Sequence, residues 1–200
     1  MNEPTPVAVD VEEPRTRRIV EVALRLAEEG GFAAVRLRDV AEQAGVALRT
    51  LYKRFPSKDE LLLAVLVREL MRLEQQLAEH PVVGPTPVLR LRRLFEVLTA
   101  CLCGRPNLGR AIVRALAGGS TTLPQQMRPF HDRVDALVIG AISGGAEPVP
   151  SDPAHPQQRL GAMLQHVWFS ALVGWSNGLH ATEEIVEAVI DAASLVLEPP

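Results

Sequence analysis

Apolar residues return at intervals of three and four along most of this chain, and few segments alternate with a period of two. That spacing marks helices that bury one face, so the chain is expected to be all-α. A first helix is predicted from about Arg15 to Glu29, with Ile19, Val22, Ala23, Leu26 and Ala27 on one stripe and Gly30-Gly31 at its end. A short helix follows from about Leu37 to Ala44 and is broken by Gly45. Another runs from about Leu48 to Arg54 and is stopped by Pro56. Ser57-Lys58-Asp59-Glu60 has the form of a capping box and opens a long helix that reaches about Glu79.

The stretch HPVVGPTP is a connector, and Thr86-Pro87 supplies an N-cap and a first-turn proline for the next helix. Further helices are expected at about 87–103, 107–117, 122–143, 153–178 and 182–197, with Asp152-Pro153 and Thr182-Glu183-Glu184 as start signals. Pro129 falls inside or at the start of the helix over 122–143, where it can introduce a kink. No internal repeat is present.

The chain has 200 residues, 47% of them hydrophobic, enough for one large domain or a small one joined to a larger one. No apolar run reaches the roughly 18 to 20 uncharged residues of a membrane span, so no membrane partner is expected. The opening residues 1–13 are acidic and proline-rich and are expected to form a disordered tail rather than a secretion signal. Cys101 and Cys103, two apart on a helix, point to different sides; two small apolar side chains in a reducing cytoplasm is the expectation.

The net charge of −3 alone argues against a nucleic-acid partner, but its distribution argues for one. Residues 1–13 carry four acids and no Lys or Arg, residues 14–58 carry ten Lys+Arg against five Asp+Glu, and residues 59–200 carry eleven against fifteen. Both lysines of the chain, Lys53 and Lys58, fall in the basic segment. A basic stretch on an acidic body points to a polyanion.

Two short helices joined by a glycine turn form a helix-turn-helix, whose second helix enters the major groove of DNA. Val40, Ala41, Ala44, Val46 and Leu51 can pack the pair, and Gly45 can supply the positive φ of the turn. Leu48, Arg49, Thr50, Tyr52, Lys53 and Arg54 are left for the exposed face, most of them hydrogen-bond donors suited to phosphates and base edges. Arg36 and Arg38, opening the preceding helix, are candidate backbone contacts.

The segment VRLRDVAEQAGVALRTLYKRFPSKDELL resembles the N-terminal domain of the TetR family of transcriptional regulators. The match covers about residues 15–65 and includes Ala44-Gly45-Val46, Thr50-Leu51-Tyr52, Phe55-Pro56, Lys58 and Leu61. The resemblance implies that Thr50 and Tyr52 contact DNA and that Lys58 grips a phosphate, with Lys53 facing phosphate as well. Two features depart from the family. Ala47 stands where Ser or Thr often caps the second helix. Leu48 and Arg49 follow where small or polar residues are common; Arg49 could read guanine through O6 and N7, and Leu48 could meet a thymine methyl.

Domains are therefore expected at 14–58 for DNA binding and 59–200 for ligand binding and dimerisation. For the second, the resemblance implies a pocket among the fifth to eighth helices and a homodimer through the last two. Phe95, Leu98, Cys101, Leu102, Ile112, Leu116, Met127, Phe130, Val134, Met163, Val167 and Trp168 are the candidate lining, suited to a large apolar effector. His131 and His166 are either polar anchors for it or satisfied helix histidines. The helix around MLQHVWFSALVGWSNGL is too apolar for exposure, and the last helix carries the stripe Ile185, Val186, Val189, Ile190, Ala193 and Leu197. The segment WFSALVGWSNGLHATEEIVEAVIDAASLVL also resembles actinobacterial TetR-type repressors of steroid catabolism, which implies a CoA thioester effector with Arg105, Arg110 or Arg114 near its phosphates.

No Gly-rich phosphate loop, serine elbow, metal-ligand spacing or apolar carboxylate pair occurs, so neither an enzyme nor a cofactor is expected. The reading is a cytoplasmic, ligand-responsive homodimeric repressor on a palindromic operator in double-stranded DNA. The alternative is a DNA-binding regulator or architectural factor with no small-molecule switch.

Overall fold

A computed structural model describes residues 13–118, 123–144, 152 and 154–198. The expected tail lies outside these residues except for Glu13. The described residues form nine α-helices: α1 Pro14–Ala34, α2 Leu37–Gln43, α3 Leu48–Arg54, α4 Lys58–Glu79, α5 Pro87–Cys103, α6 Pro106–Ala117, α7 Leu123–Ser143, α8 Pro156–Ser176 and α9 Thr182–Leu197. The fold is all-α, as the periodicity predicts. None of these helices is long and apolar enough to cross a membrane.

The chain divides into two compact units, Met1–Arg72 with Arg105–Arg128, and Leu73–Gly104 with Pro129–Pro200. The boundary expected at residue 58 does not separate them: α4 runs through it, and α4 and α7 each lend residues to both units. A hydrophobic helix that continues without a break past the helix-turn-helix gives its first turns to one core and its last to another.

In the first unit, α6 packs along α1, and α2 packs against α3 and α1. Ile19, Val20, Ala23 and Ala27 of α1 are buried, with Leu108, Ala111 and Ile112 of α6. The helical path of α1 is interrupted at Gly30 and Gly31, the latter at φ +65°, so the predicted glycine break is present although turns continue to Ala34. Ion pairs tie the helices: Arg68 to Glu21 at 2.6 Å, and Arg105 to Glu28 at 2.8 Å and to the buried Glu69.

In the second unit, α9 packs against α8 and α5. Phe95 and Trp168 meet edge to face at 5.9 Å, and the Trp168 Nε1–H donates to Thr99 Oγ1 at 3.0 Å. Arg90 donates to the carbonyls of Gly84, Ala141 and Ile142 at 2.9, 2.7 and 2.9 Å, satisfying the last turn of α7. Thr86 caps α5 and Ser57 caps α4, through the N–H groups of Leu89 and Glu60. The start of α8 differs from the prediction. Asp152 accepts the Ala154 N–H at 2.9 Å in a local turn, and the helix begins at Pro156 behind His155. Pro129 lies inside α7. Cys101 is half-buried and Cys103 is buried.

Candidate nucleic-acid interface

The α2–α3 pair is built around small residues and one glycine. Val40, Ala41 and Ala44 are buried on the α2 side, Leu51 and Phe55 on the α3 side, and Val46 is half-buried between them. Gly45 sits at φ +66°, and its turn is closed by the Val46 N–H donating to Ala41 O at 3.0 Å. A left-handed φ there costs a side-chain-bearing residue about 1–2 kcal/mol. Ala47 occupies the N-cap of α3 and provides no side-chain cap, so the missing hydroxyl read from sequence leaves that helix end unbonded by its cap residue.

With Leu51 turned inward, helical phase places Arg49, Tyr52, Lys53 and Arg54 at the surface, while Leu48 and Thr50 are half-buried. Tyr52 is 48% exposed and Phe55 fully buried, so the two aromatics of the TLYKRF run have opposite roles. Arg36 is the N-cap residue of α2 and Arg38 lies in its first turn; both are exposed. These residues present cations, a phenol and a hydroxyl along α2 and α3, a donor-rich face of the kind that binds phosphate and base edges.

Two of the basic residues are held by the protein. Arg54 Nη2 donates to Glu13 Oε2 at 2.8 Å. Lys58 Nζ donates to the Phe32 carbonyl at 2.9 Å and stands 4.4 Å from the centre of the Phe32 ring. Partial burial holds the Lys58 amine below its usual range; the charges of Arg114 and Arg36 act the same way, and Asp59 opposes them. Lys58 is thus a half-buried bracket as well as the cation expected at the head of α4. Phe32 and Glu13 were not singled out in the sequence, because their partners are distant along the chain.

The candidate pocket residues do not fall in one unit. Ile112, Leu116 and Met127 belong to the first, with Ile112 buried on α6, the helix that packs along α1. Phe95, Leu98, Cys101, Leu102, Phe130, Val134, Met163, Val167 and Trp168 belong to the second. Phe95, Leu98, Leu102, Phe130, Val134 and Trp168 are buried, Cys101 and Val167 half-buried, and Met163 is 40% exposed. The face of α8 that carries Met163 points out of its own core.

His131 and His166 are at the surface; His131 Nδ1 pairs with the buried Gln165 at 3.2 Å, and Gln165 donates to Asp135. Burial raises the Asp135 carboxyl above its usual range. Of the arginines considered for CoA phosphates, Arg105 is engaged by Glu28 and Glu69, and Arg114 stacks on Phe32 at 4.5 Å.

Residues 19–65 match the family described as bacterial regulatory proteins, tetR family, and residues 84–197 match the tetracyclin repressor-like C-terminal domain. A helix-turn-helix head followed by a helical C-terminal region of this kind defines a DNA-binding transcription regulator rather than an enzyme. The chain belongs to the TetR family. It is 31% identical over 188 residues to the HTH-type transcriptional repressor KstR of Rhodococcus jostii, covering 94% of this chain and 85% of that one. It shares its fold with a TetR transcriptional regulator from Rhodococcus sp. RHA1, at a TM-score of 0.79 and 24% identity over 92% of this chain and 96% of that one. Thermus thermophilus FadR, a TetR-family repressor solved with lauroyl-CoA, superposes at a TM-score of 0.64 with 21% identity over 91% of this chain and 93% of that one.

Proposed function

We propose that this protein is a homodimeric transcriptional repressor that binds a near-palindromic operator through α3 and is released by a CoA thioester with a large apolar acyl or steroid-derived group. The observation that carries the DNA half is the outward set Arg49, Tyr52 and Lys53, held over the buried Leu51 and Phe55. Phosphate contacts from Arg36, Arg38, Lys53 and Lys58 supply affinity, and Leu48, Arg49, Thr50 and Tyr52 supply readout. Two heads in successive major grooves require a symmetric site. The similarity to KstR supports repression. The fold shared with an acyl-CoA-bound repressor supports the effector class. An effector of this kind works only by binding the released state more tightly than the DNA-bound one.

Fluorescence anisotropy on labelled DNA from upstream of the protein's own gene, with excess non-specific competitor, tests the reading. Saturable binding at two protomers per site, lost on adding lauroyl-CoA or a steroid-derived CoA thioester but not free CoA, is the expected result. Binding indifferent to every thioester defeats the effector half and leaves a DNA-binding regulator with no small-molecule switch.

A further inference from the structure

The Phe32 ring is held between two cations from different helices. Lys58 Nζ, at the head of α4, is 4.4 Å from the ring centre, and Arg114 Cζ, on α6, is 4.5 Å from it. The Arg36 charge also acts on Lys58, and the Asp59 carboxylate opposes it. Two cations therefore share one ring, and a third acts on Lys58 against the carboxylate of Asp59.

Folding alone does not account for this excess. Lys58 already has a hydrogen-bond acceptor in the Phe32 carbonyl at 2.9 Å and a ring to stand over. Adding Arg114 and Arg36 beside it only raises the repulsion, and the first turn of a helix is the end that disfavours a cation. Arg114 forms no ion pair among the described residues, and it is exposed even with its guanidinium carbon over the Phe32 ring. Like charges gathered against their own repulsion are relieved by an anion from outside the chain. Lys58 follows α3 after only Phe55, Pro56 and Ser57, so that anion lies beside the helix that reads DNA.

We propose that Arg114, on α6, is a DNA-phosphate contact acting with Lys58 and Arg36 on the duplex backbone that flanks the groove entered by α3. The Phe32 ring is the platform that orients the Lys58 and Arg114 cations toward one phosphate. The inference rests on the DNA-binding reading and extends the binding surface beyond α1–α4 to α6.

Arg114→Met keeps an unbranched apolar side chain at this position and removes the charge; Arg114→Lys keeps a charge. Binding to a mixed-sequence duplex and to the upstream fragment is followed by anisotropy from low to moderate salt. Arg114→Met is expected to weaken both duplexes by the same factor, about tenfold at low salt, and to flatten the slope of log K against log salt by about 0.9, one phosphate contact. Arg114→Lys is expected to keep the wild-type slope. Modification of Arg114 by phenylglyoxal on the wild-type protein, read by mass spectrometry, is expected to fall when either duplex saturates it, and this readout needs no variant. An unchanged slope in a folded Arg114→Met protein, or modification that ignores DNA, overturns the proposal and leaves Arg114 as packing for Phe32. A wild-type protein that binds neither duplex overturns the DNA-binding reading itself, and the proposal with it.

Discussion

The guanidinium of Arg54, at the end of α3, donates to the carboxylate of Glu13, the residue that caps α1, at 2.8 Å. Glu13 also accepts the Thr16 hydroxyl at 2.7 Å and the N–H groups of Thr16 and Arg15 at 2.9 and 3.2 Å. One carboxylate therefore caps one helix and braces the end of another. The Thr16 bonds are the main cause that brings the Glu13 carboxyl down from 4.5 to about 2, with Arg54 contributing least.

A carboxyl whose folded value lies below its unfolded one adds stability that is complete above the unfolded value and disappears as pH falls through the folded value. The Glu13 cap should thus persist through pH 4 and be lost near pH 2. Carboxyl-carbon NMR is expected to give a midpoint near 2, raised strongly by Thr16→Val and little by Arg54→Gln. A midpoint in the ordinary glutamate range, about 4.3, means that the cap does not form in solution.

Tyr52 and Phe55 separate binding from folding. Phe55 is fully buried, and Phe55→Ala should cost about 3–5 kcal/mol, enough to remove DNA binding through unfolding. Tyr52 is exposed, so Tyr52→Ala should leave stability within about 0.5 kcal/mol and weaken DNA binding alone. Urea unfolding beside anisotropy distinguishes the two; a Tyr52→Ala protein with wild-type DNA affinity removes that residue from the interface.

In the second unit the buried Trp168 has its indole N–H on the hydroxyl of Thr99. Thr99→Val keeps the volume and orphans the donor, at about 1–3 kcal/mol. Thr99→Ser keeps the hydroxyl and should lose less. Equal urea midpoints for the two variants mean that the bond contributes nothing.

Where signals are local, the sequence was legible. Pro56 closes α3, Thr86-Pro87 opens α5 and Thr182-Glu183-Glu184 opens α9, and those three helices agree with expectation to the residue. The split between Tyr52 and Phe55 follows from helical phase around Leu51. The start of α8 was missed because Asp152 is as good a turn former as a cap, and only the His155 contact resolves the choice. The Phe32 platform and the Glu13 brace join residues 26 and 41 positions apart, and no periodicity carries that information. A stripe of apolar residues shows that a face is buried, not what buries it.

The last helix makes that distinction testable. Ile185, Val186, Val189, Ile190 and Ala193, a stripe compatible with burial between subunits or in one core, are buried within one protomer, where α9 packs on α8 and α5. The apolar residues of α8 and α9 left at the surface are instead Met163, Phe169, Leu195 and Val196, with Leu195 78% exposed. If two copies pair through these helices, the side chains left for the contact are the outward ones. Leu195→Glu should then leave each protomer folded, because it disturbs no internal packing, and should convert a dimer to a monomer in sedimentation velocity. Ile190→Glu places a charge in the protomer core and should unfold it. A Leu195→Glu protein that remains dimeric and folded would mean that the outer surface of α9 lies outside the interface.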